Sequence, residues 1–92
     1  MEKKRIVITG MGVVTPIAVG CDNFVKALRE GKSGISLIEN FDTTNFPVKF
    51  AGIVKDLKAE EYLDKKQLRH LAEFNKLGLI AAKMAVADSK LD

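Results

Sequence analysis

The sequence predicts an α/β fold from a strand signal in its first residues and a long helix signal in its last third. Residues 6–8 form a β-branched apolar run without polar alternation, which is typical of a parallel strand covered on both faces. Gly10 and Gly12 then let the backbone bend where a Cβ would clash, and Pro16 ends the strand. Apolar residues recur at helical spacing over residues 65–88. We therefore expect an inner strand and one long buried helix.

A short helix is predicted after the first turn. Asp22 is a favoured capping residue, and Gly31 stands where a helix usually ends, so the pattern predicts a helix that runs through Glu30. One face of this helix is apolar and consists of Phe24, Val25 and Leu28. The first third of the chain is thus predicted to form a strand, a loop and a helix.

Two short strands joined by a loop are predicted in the middle of the chain. Residues 35–38 form a short apolar strand or extended segment, and residues 49–55 form a strand with charged ends. The intervening residues 40–47 are rich in turn formers. We expect Phe41 and Phe46 to anchor this loop to a core.

The last third begins with one or two helical turns over residues 57–63 and continues as the long helix. Asp64 is a capping residue, and Gln67 can reach back to it three positions later, as in a capping box. The predicted helix over residues 65–88 has apolar side chains that begin with Leu68, Leu71, Phe74 and Leu77. Residues 77–87 are apolar almost all round, which is typical of a helix inside a large protein.

Small residues in this helix indicate close approach to a neighbouring helix or sheet, and they are Gly78, Ala81, Ala82 and Ala85. Together with the first strand, the helix presents more apolar surface than 92 residues can bury alone. We therefore expect the chain to be a piece of a longer polypeptide and to pack against the remainder of it.

Composition excludes several classes of protein. The net charge of +3 is too small to indicate a nucleic-acid-binding protein by itself. Cys21 is the single cysteine, so no intrachain disulfide can form, and we expect a cytoplasmic location. No apolar stretch is long enough to cross a bilayer. The run before Cys21 departs from a lipoprotein signal, because two glycines and Pro16 interrupt it and Ala18 stands where a larger aliphatic residue is usual.

Other candidate sites have little support in the sequence. The turn after the first strand lacks the third glycine of a dinucleotide-binding motif, so we expect no cofactor site. His70 has no second histidine or suitably spaced cysteine with which to hold a metal. Glu60 and Glu61 are adjacent and point apart, so they are not an acid–base pair. Cys21 is followed by a carboxylate, which disfavours the reactive thiolate.

Five segments occur in one order without a large gap, and they are RIVITGMGVVTP at 5–16, KSGISLI at 32–38, FDT at 41–43, KFAGIVKD at 49–56 and KKQLR at 65–69. In this order the chain closely resembles the amino-terminal part of the type II 3-oxoacyl-[acyl-carrier-protein] synthases, over essentially all 92 residues. Ala18 departs from the glycine that is common in this family. The resemblance implies a thiolase-like α/β fold, in which residues 1–92 are an incomplete amino-terminal part of the β-ketoacyl synthase N-terminal domain. It also implies a homodimer when the protein is intact.

The resemblance implies an acyltransferase of fatty-acid chain elongation. In this family a cysteine takes the acyl chain, malonyl-carrier protein loses carbon dioxide, and the resulting carbanion attacks the thioester with the assistance of two histidines. These three residues lie far downstream of the matched region, and Cys21 and His70 match none of them. The resemblance therefore implies that this chain has no catalytic residue and no condensing activity alone.

A basic cluster begins the predicted long helix and consists of Lys65, Lys66, Arg69 and His70. Cations in the first turns of a helix are unfavourable by roughly a few tenths of a kcal/mol each, so the cluster favours a binding role over an ordinary solvated face. The resemblance implies that it docks the acidic helix of acyl carrier protein, with Lys65, Lys66 and Arg69 at matching basic positions. His70 stands where lysine is more usual, so its contribution depends on protonation.

An alternative is a small, self-contained basic module without enzymatic activity that binds an acidic protein or nucleic acid. Tyr62 is the only aromatic residue close to the basic cluster on its polar side, whereas Phe74 falls on the apolar side of the predicted helix. This scarcity of aromatic residues argues against base stacking and hence against nucleic acid.

Overall fold

The computed structural model of the chain describes residues 3–55 and 57–91. Its elements are, in order, α1 (Cys21–Glu30), β1 (Ile35–Leu37), β2 (Phe50–Gly52), a 3-10 helix (Ala59–Glu61), α2 (Lys65–His70) and α3 (Glu73–Ser89). The two ends of the predicted domain, residues 1 and 92, and the end of the 49–56 segment lie outside the described residues.

The segment around Gly10 and Gly12 runs against α3 at backbone contact distance. A Cβ on Gly10 would lie 2.6 Å from Ser89 N, and a Cβ on Gly12 would lie 2.8 Å from Ala85 N. Both distances are too short for a side chain. A Cβ would clash at both positions, as predicted. The clash is with α3 and not within a bend of the chain, and neither glycine has the positive φ that a tight turn would require.

The buried strand predicted at residues 6–8 is not formed in this chain. These residues have no sheet partner, and Ile6 and Ile8 are 95% and 85% exposed. A strand of a parallel sheet needs hydrogen-bonding neighbours, whereas the sheet in the described residues contains β1 and β2 alone. The apolar run therefore stays exposed although its composition suits a sheet interior.

Helix α1 lies between two glycines with positive φ. Gly31 has φ 69° and ends the helix in the left-handed conformation, with its N–H donated to Leu28 O at 3.1 Å. The predicted end at Glu30 is confirmed. The predicted cap at Asp22 is wrong, because the helix already begins at Cys21 and its N-cap is Gly20, whose φ of 91° rarely suits a residue with a side chain. Asp22 instead lies in the first turn, where a negative charge complements the helix dipole.

Strands β1 and β2 form a two-stranded antiparallel sheet. Leu37 lies opposite Phe50, and Ile35 lies opposite Gly52. Both strands fall within the two predicted segments, so those predictions are confirmed. The side chains of Ile35, Leu37 and Phe50 are exposed, so one face of this small sheet is uncovered.

The loop between the two strands is held by its own contacts. Phe41 and Phe46 are 54% and 53% exposed and meet edge to face with ring centroids 5.9 Å apart. The prediction that they anchor the loop to a core is wrong, because each ring packs on the other. Lys49 Nζ donates to Phe46 O at 3.2 Å. The side chain and backbone of Thr44 each donate a hydrogen bond to Asp42. These two bonds lower the pKa of Asp42 and stabilise the turn.

The single helix predicted over residues 65–88 is two helices. Leu71 and Ala72 separate them, with extended backbone at φ −92°, ψ 139° and φ −68°, ψ 158°. Lys83 Nζ donates to Tyr62 O at 2.9 Å. In an unbroken helix the first residue and Lys83 would be about 27 Å apart, which is beyond the reach of a lysine. The break therefore lets the segment before α2 lie beside the middle of α3.

Helix α3 buries one face and exposes the other. The inner face has helical spacing, and its members are Leu77, Ile80, Ala81, Met84 and Ala85. Ile80 is fully buried, whereas Val86 is 58% exposed. Nothing lies within 4 Å of a Cβ placed on Gly78. The predicted burial of residues 77–87 on every side is thus found on one face only, because the described residues cover only that face.

The chain has little core for its length. Of the described residues only Ala27, Leu63 and Ile80 are buried. The radius of gyration is 16.7 Å, whereas a compact domain of this length has about 12 Å. The predicted excess of exposed apolar surface is therefore confirmed.

We expect the isolated chain to self-associate or to unfold locally, because large apolar patches on soluble proteins are rarely left uncovered. Sedimentation and amide hydrogen exchange test this expectation. A monodisperse monomer with strongly protected amides in both residues 6–8 and residues 77–87 would contradict it.

Candidate functional site

Helix α2 carries the predicted basic cluster, and a capping box fixes its start. Asp64 Oδ1 accepts a hydrogen bond from Gln67 N at 2.8 Å, and Gln67 Oε1 accepts one from Asp64 N at 3.2 Å. The two bonds satisfy backbone donors that the helix itself leaves free. The predicted capping box is confirmed and gives this six-residue helix a defined first turn.

The basic surface is the exposed side of α2 and consists of Lys65, Lys66, Arg69 and His70. The residues between them, Gln67 and Leu68, are half-buried. At 100° per residue the four exposed positions span an arc of about 140°. The structure therefore brings all four predicted site residues to one side of a single helix.

No acidic side chain of the described residues forms a salt bridge with the basic surface. The ion pair in this part of the chain joins Lys76 and Glu73 at 3.9 Å. Asp64 is next to the basic surface in sequence, but its carboxylate caps the helix. Cations clustered without partners attract an acidic molecule over a distance, so the basic surface is suited to binding an anionic partner.

The end of α2 at His70 changes the electrostatic argument for two members of the basic surface. Lys65 and Lys66 lie in the first turn, where cations oppose the helix dipole, but Arg69 and His70 lie in the last turn, where cations are favourable. The expectation that all four oppose the dipole is therefore wrong for Arg69 and His70, because the helix is shorter than predicted. Exposure and the lack of salt bridges support a binding role for these two instead.

The segment that precedes α2 is fixed to α3. Leu63 is buried, and its N–H donates to Ala59 O at 2.9 Å. The bond from Lys83 Nζ to Tyr62 O then ties this segment to the middle of α3. These contacts link the segment before the basic surface to α3.

The remaining sequence candidates lie on other elements than the basic surface, although the 3-10 helix contacts α2. Cys21 is half-buried at the start of α1, and its Sγ donates to Met11 O at 3.5 Å. Glu60 and Glu61 are exposed on the 3-10 helix. Over residues 3–55 and 57–91, no three His, Cys, Asp or Glu side chains form a group that could hold a metal ion. In the same ranges no helix has the length and apolar character needed to span a membrane.

Comparison with known proteins gives matches along the whole chain. The family model described as "Beta-ketoacyl synthase, N-terminal domain" matches residues 3–92. The 3-oxoacyl-[acyl-carrier-protein] synthase 2 of Vibrio harveyi is 46% identical over 92 residues, which are 100% of this chain and 22% of that protein. The chloroplastic 3-oxoacyl-[acyl-carrier-protein] synthase I of Arabidopsis thaliana is 40% identical over 89 residues, 97% of this chain and 19% of that protein. The chain thus spans about a fifth of the length of these relatives.

A solved structure supports the same relationship. The ishigamide ketosynthase/chain length factor superposes with a TM-score of 0.83 at 32% sequence identity, and the match covers 94% of this chain and 21% of that one. The predicted fold class, an α/β fold of the thiolase-like type, is confirmed.

Proposed function

Because the chain belongs to the β-ketoacyl synthase family, we propose that it forms the amino-terminal part of a 3-oxoacyl-[acyl-carrier-protein] synthase, an acyltransferase of fatty-acid chain elongation. The observation that supports this most is the 46% identity over every residue of the chain to a synthase of that name. The alternative of a self-contained basic binding module is not favoured by membership of an enzyme family.

The proposed reaction of the whole protein is a decarboxylative condensation. A cysteine thiolate takes the acyl group from its thioester, malonyl-carrier protein loses carbon dioxide, and the carbanion that remains attacks the acyl-enzyme thioester. A new carbon–carbon bond forms, and the cysteine leaves as thiolate. None of these steps is assigned to Cys21, whose thiol is a half-buried donor to a backbone carbonyl, or to His70, which is exposed on α2.

The role that we propose for this chain is docking of acyl carrier protein at the basic surface. Its four side chains are exposed on one side of a capped helix, without salt bridges to described residues. An acidic carrier protein would be steered to such a surface by long-range attraction. The names of the relatives include acyl carrier protein, which supports the proposal that it is the partner of this surface.

We further propose that these residues are an incomplete part of the N-terminal domain and that the remainder of the polypeptide covers the exposed apolar side chains. The most exposed of these are Ile6, Ile8 and Phe74, at 95%, 85% and 74%. The whole protein would be a cytoplasmic homodimer that uses no cofactor. Sedimentation of the full-length protein tests the dimer, and a monomer at micromolar concentration would contradict it.

The 92-residue chain is expected to have no condensing activity, because we assign it neither the nucleophilic cysteine nor the two histidines of the reaction. Purified chain is incubated with acyl- and malonyl-carrier protein, and 3-oxoacyl product is measured by mass spectrometry against a reaction without enzyme. The full-length protein serves as the positive control. Product above background from the 92-residue chain would contradict the assignment.

A further inference from the structure

Helix α2 is attached to α3 at both of its ends. At its carboxyl end the extended residues Leu71 and Ala72 connect it directly to α3. At its amino end the chain is tied to α3 by Lys83, whose Nζ donates to Tyr62 O at 2.9 Å. In the part of the chain that the structure describes, this is the one hydrogen bond between α3 and residues 57–64. The amino end of α2 therefore depends on Lys83 for its hydrogen-bonded attachment to α3.

A short, internally bonded segment separates this hydrogen bond from the basic surface. Tyr62 lies three positions before Lys65. The N–H groups of Tyr62 and Leu63 both donate to Ala59 O, at 3.0 and 2.9 Å, and Leu63 is buried. Asp64 then caps α2. Because hydrogen bonds and a capped helix fill the whole interval, a shift of Tyr62 is transmitted to the first turn of α2.

We propose that Lys83 is a positioning residue for docking of acyl carrier protein, because its bond to Tyr62 holds the basic surface in the orientation that the partner binds. This inference rests on the proposed docking role of the basic surface. Lys83 itself lies on α3, is exposed, and has no salt bridge to any described residue. Its ammonium group is a charged donor, which strengthens the bond to the carbonyl.

The size of the effect follows from the one bond that is lost. A single hydrogen bond changes a conformational equilibrium by about 2- to 10-fold. When the orientation that binds the partner becomes less populated, the apparent Kd rises in the same proportion. We therefore expect a loss of affinity of this order when Lys83 can no longer donate.

Lys83→Met in the full-length protein removes the donor and keeps a long side chain that favours a helix. It should lower kcat/KM for carrier-protein substrates about 2- to 10-fold at low ionic strength. Turnover at saturation and the reaction of small thioester substrates should stay unchanged. Lys83→Arg keeps the charge and the donors and should remain close to the wild type. Lys90→Met is the matched control, because it removes an exposed cation from the end of α3 and leaves the bond to Tyr62 intact.

Salt distinguishes a positioning role from direct attraction of the partner by Lys83. The rise of KM with ionic strength reports the cations that attract the partner. Lys83→Met leaves Lys65, Lys66 and Arg69 in place. Its KM should therefore be higher than that of the wild type and should rise with salt equally steeply. A shallower rise would mean that Lys83 attracts the partner itself, and would overturn the positioning role.

A double-mutant cycle tests whether Lys83 acts through the basic surface. The second background is the variant with Lys65, Lys66 and Arg69 all replaced by glutamate, and circular dichroism confirms that each variant is folded. In that background Lys83→Met should change kcat/KM for carrier-protein substrates little. An equal effect in both backgrounds, or an equal effect of Lys90→Met in the wild-type background, would overturn the role of Lys83.

The same measurements separate this inference from the docking role. If the triple variant loses kcat/KM while Lys83→Met equals the wild type, docking at the basic surface stands and only the role of Lys83 fails. If Lys83→Met loses activity equally toward small thioester substrates, Lys83 is structural and the positioning role fails. If the triple variant keeps the kcat/KM of the wild type, both the docking role and the role of Lys83 fail.

Discussion

Replacing Lys65, Lys66 and Arg69 with glutamate in the full-length protein is expected to raise KM for carrier-protein substrates about 30- to 150-fold at low ionic strength. An exposed charge pair contributes up to about 1 kcal/mol, and three reversed charges turn an attraction into a repulsion worth about 2–3 kcal/mol in total. The turnover number at saturation should change little, because the basic surface is proposed to act on encounter and not on the thioester. Steady-state kinetics with purified acyl carrier protein measure both parameters.

Salt gives this prediction a second observable. Long-range attraction is screened beyond about 10 Å at roughly 0.1 M salt, so the KM of the wild type should rise with ionic strength. The triple variant has lost the attraction, and its KM should not rise. A plot of KM against salt therefore separates an electrostatic role from a loss of folded protein, which would lower activity at every salt concentration.

A matched control changes the same net charge elsewhere on the chain. Lys4, Lys26 and Lys32 are exposed and lie outside α2, and their replacement by glutamate should leave KM much closer to that of the wild type. Small thioester substrates that lack the carrier protein provide the second control. If the triple variant of the basic surface lost activity equally toward these substrates, the cluster would be structural and would have no docking role.

The elements that could be predicted from the sequence are those determined by short-range chemistry. Gly31 ends α1 because it can adopt a left-handed conformation, and the pair Asp64 and Gln67 fixes the start of α2 through two bonds three residues apart. The members of the basic surface could be predicted too, because each lies within the six residues of one helix. In these places the residues that predict a helix end lie within one or two helical turns of that end.

The break between α2 and α3 could not be predicted, because no local signal in the sequence marks it. Leu71 and Ala72 are good helix formers, and no glycine or proline marks the position. The bond from Lys83 to Tyr62 joins residues 21 positions apart, and it requires the chain to turn. The electrostatic setting of Arg69 and His70 was mistaken for the same reason, since the sign of the dipole effect depends on where α2 ends.

Exposure of the first apolar run also depends on residues that are distant in sequence. The composition of residues 6–8 suits a sheet interior, but a strand forms only where another segment accepts its hydrogen bonds. The glycines that follow were interpreted correctly as sites where a Cβ would clash. Which segment the glycines pack against could not be predicted, because the backbone of α3 that faces them lies about 70 to 80 positions away in sequence.

The second large effect is expected from Gly12→Ala, which should lower the free energy of unfolding of the full-length protein by about 3 kcal/mol. The new Cβ would lie 2.8 Å from both Ala85 N and Met84 Cβ, and close to backbone atoms that cannot rotate away. The segment cannot easily retreat, because Met11 N donates to Asp88 Oδ2 at 3.0 Å. At about 2–4 °C per kcal/mol for larger domains, Tm should fall by about 6–12 °C.

Gly78→Ala is the matched control because it adds the same methyl group to a glycine of α3 that has open space around it. No atom lies within 4 Å of the new Cβ, and Gly78 is inside α3, where alanine favours the helix by about 0.5–1 kcal/mol. The two substitutions should therefore shift Tm in opposite directions when dilute protein is unfolded by heat and followed by circular dichroism. Suppose that Gly12→Ala were as stable as the wild type while Gly78→Ala gained stability. Helix α3 would then be intact, but the segment around Gly10 and Gly12 would not lie against it.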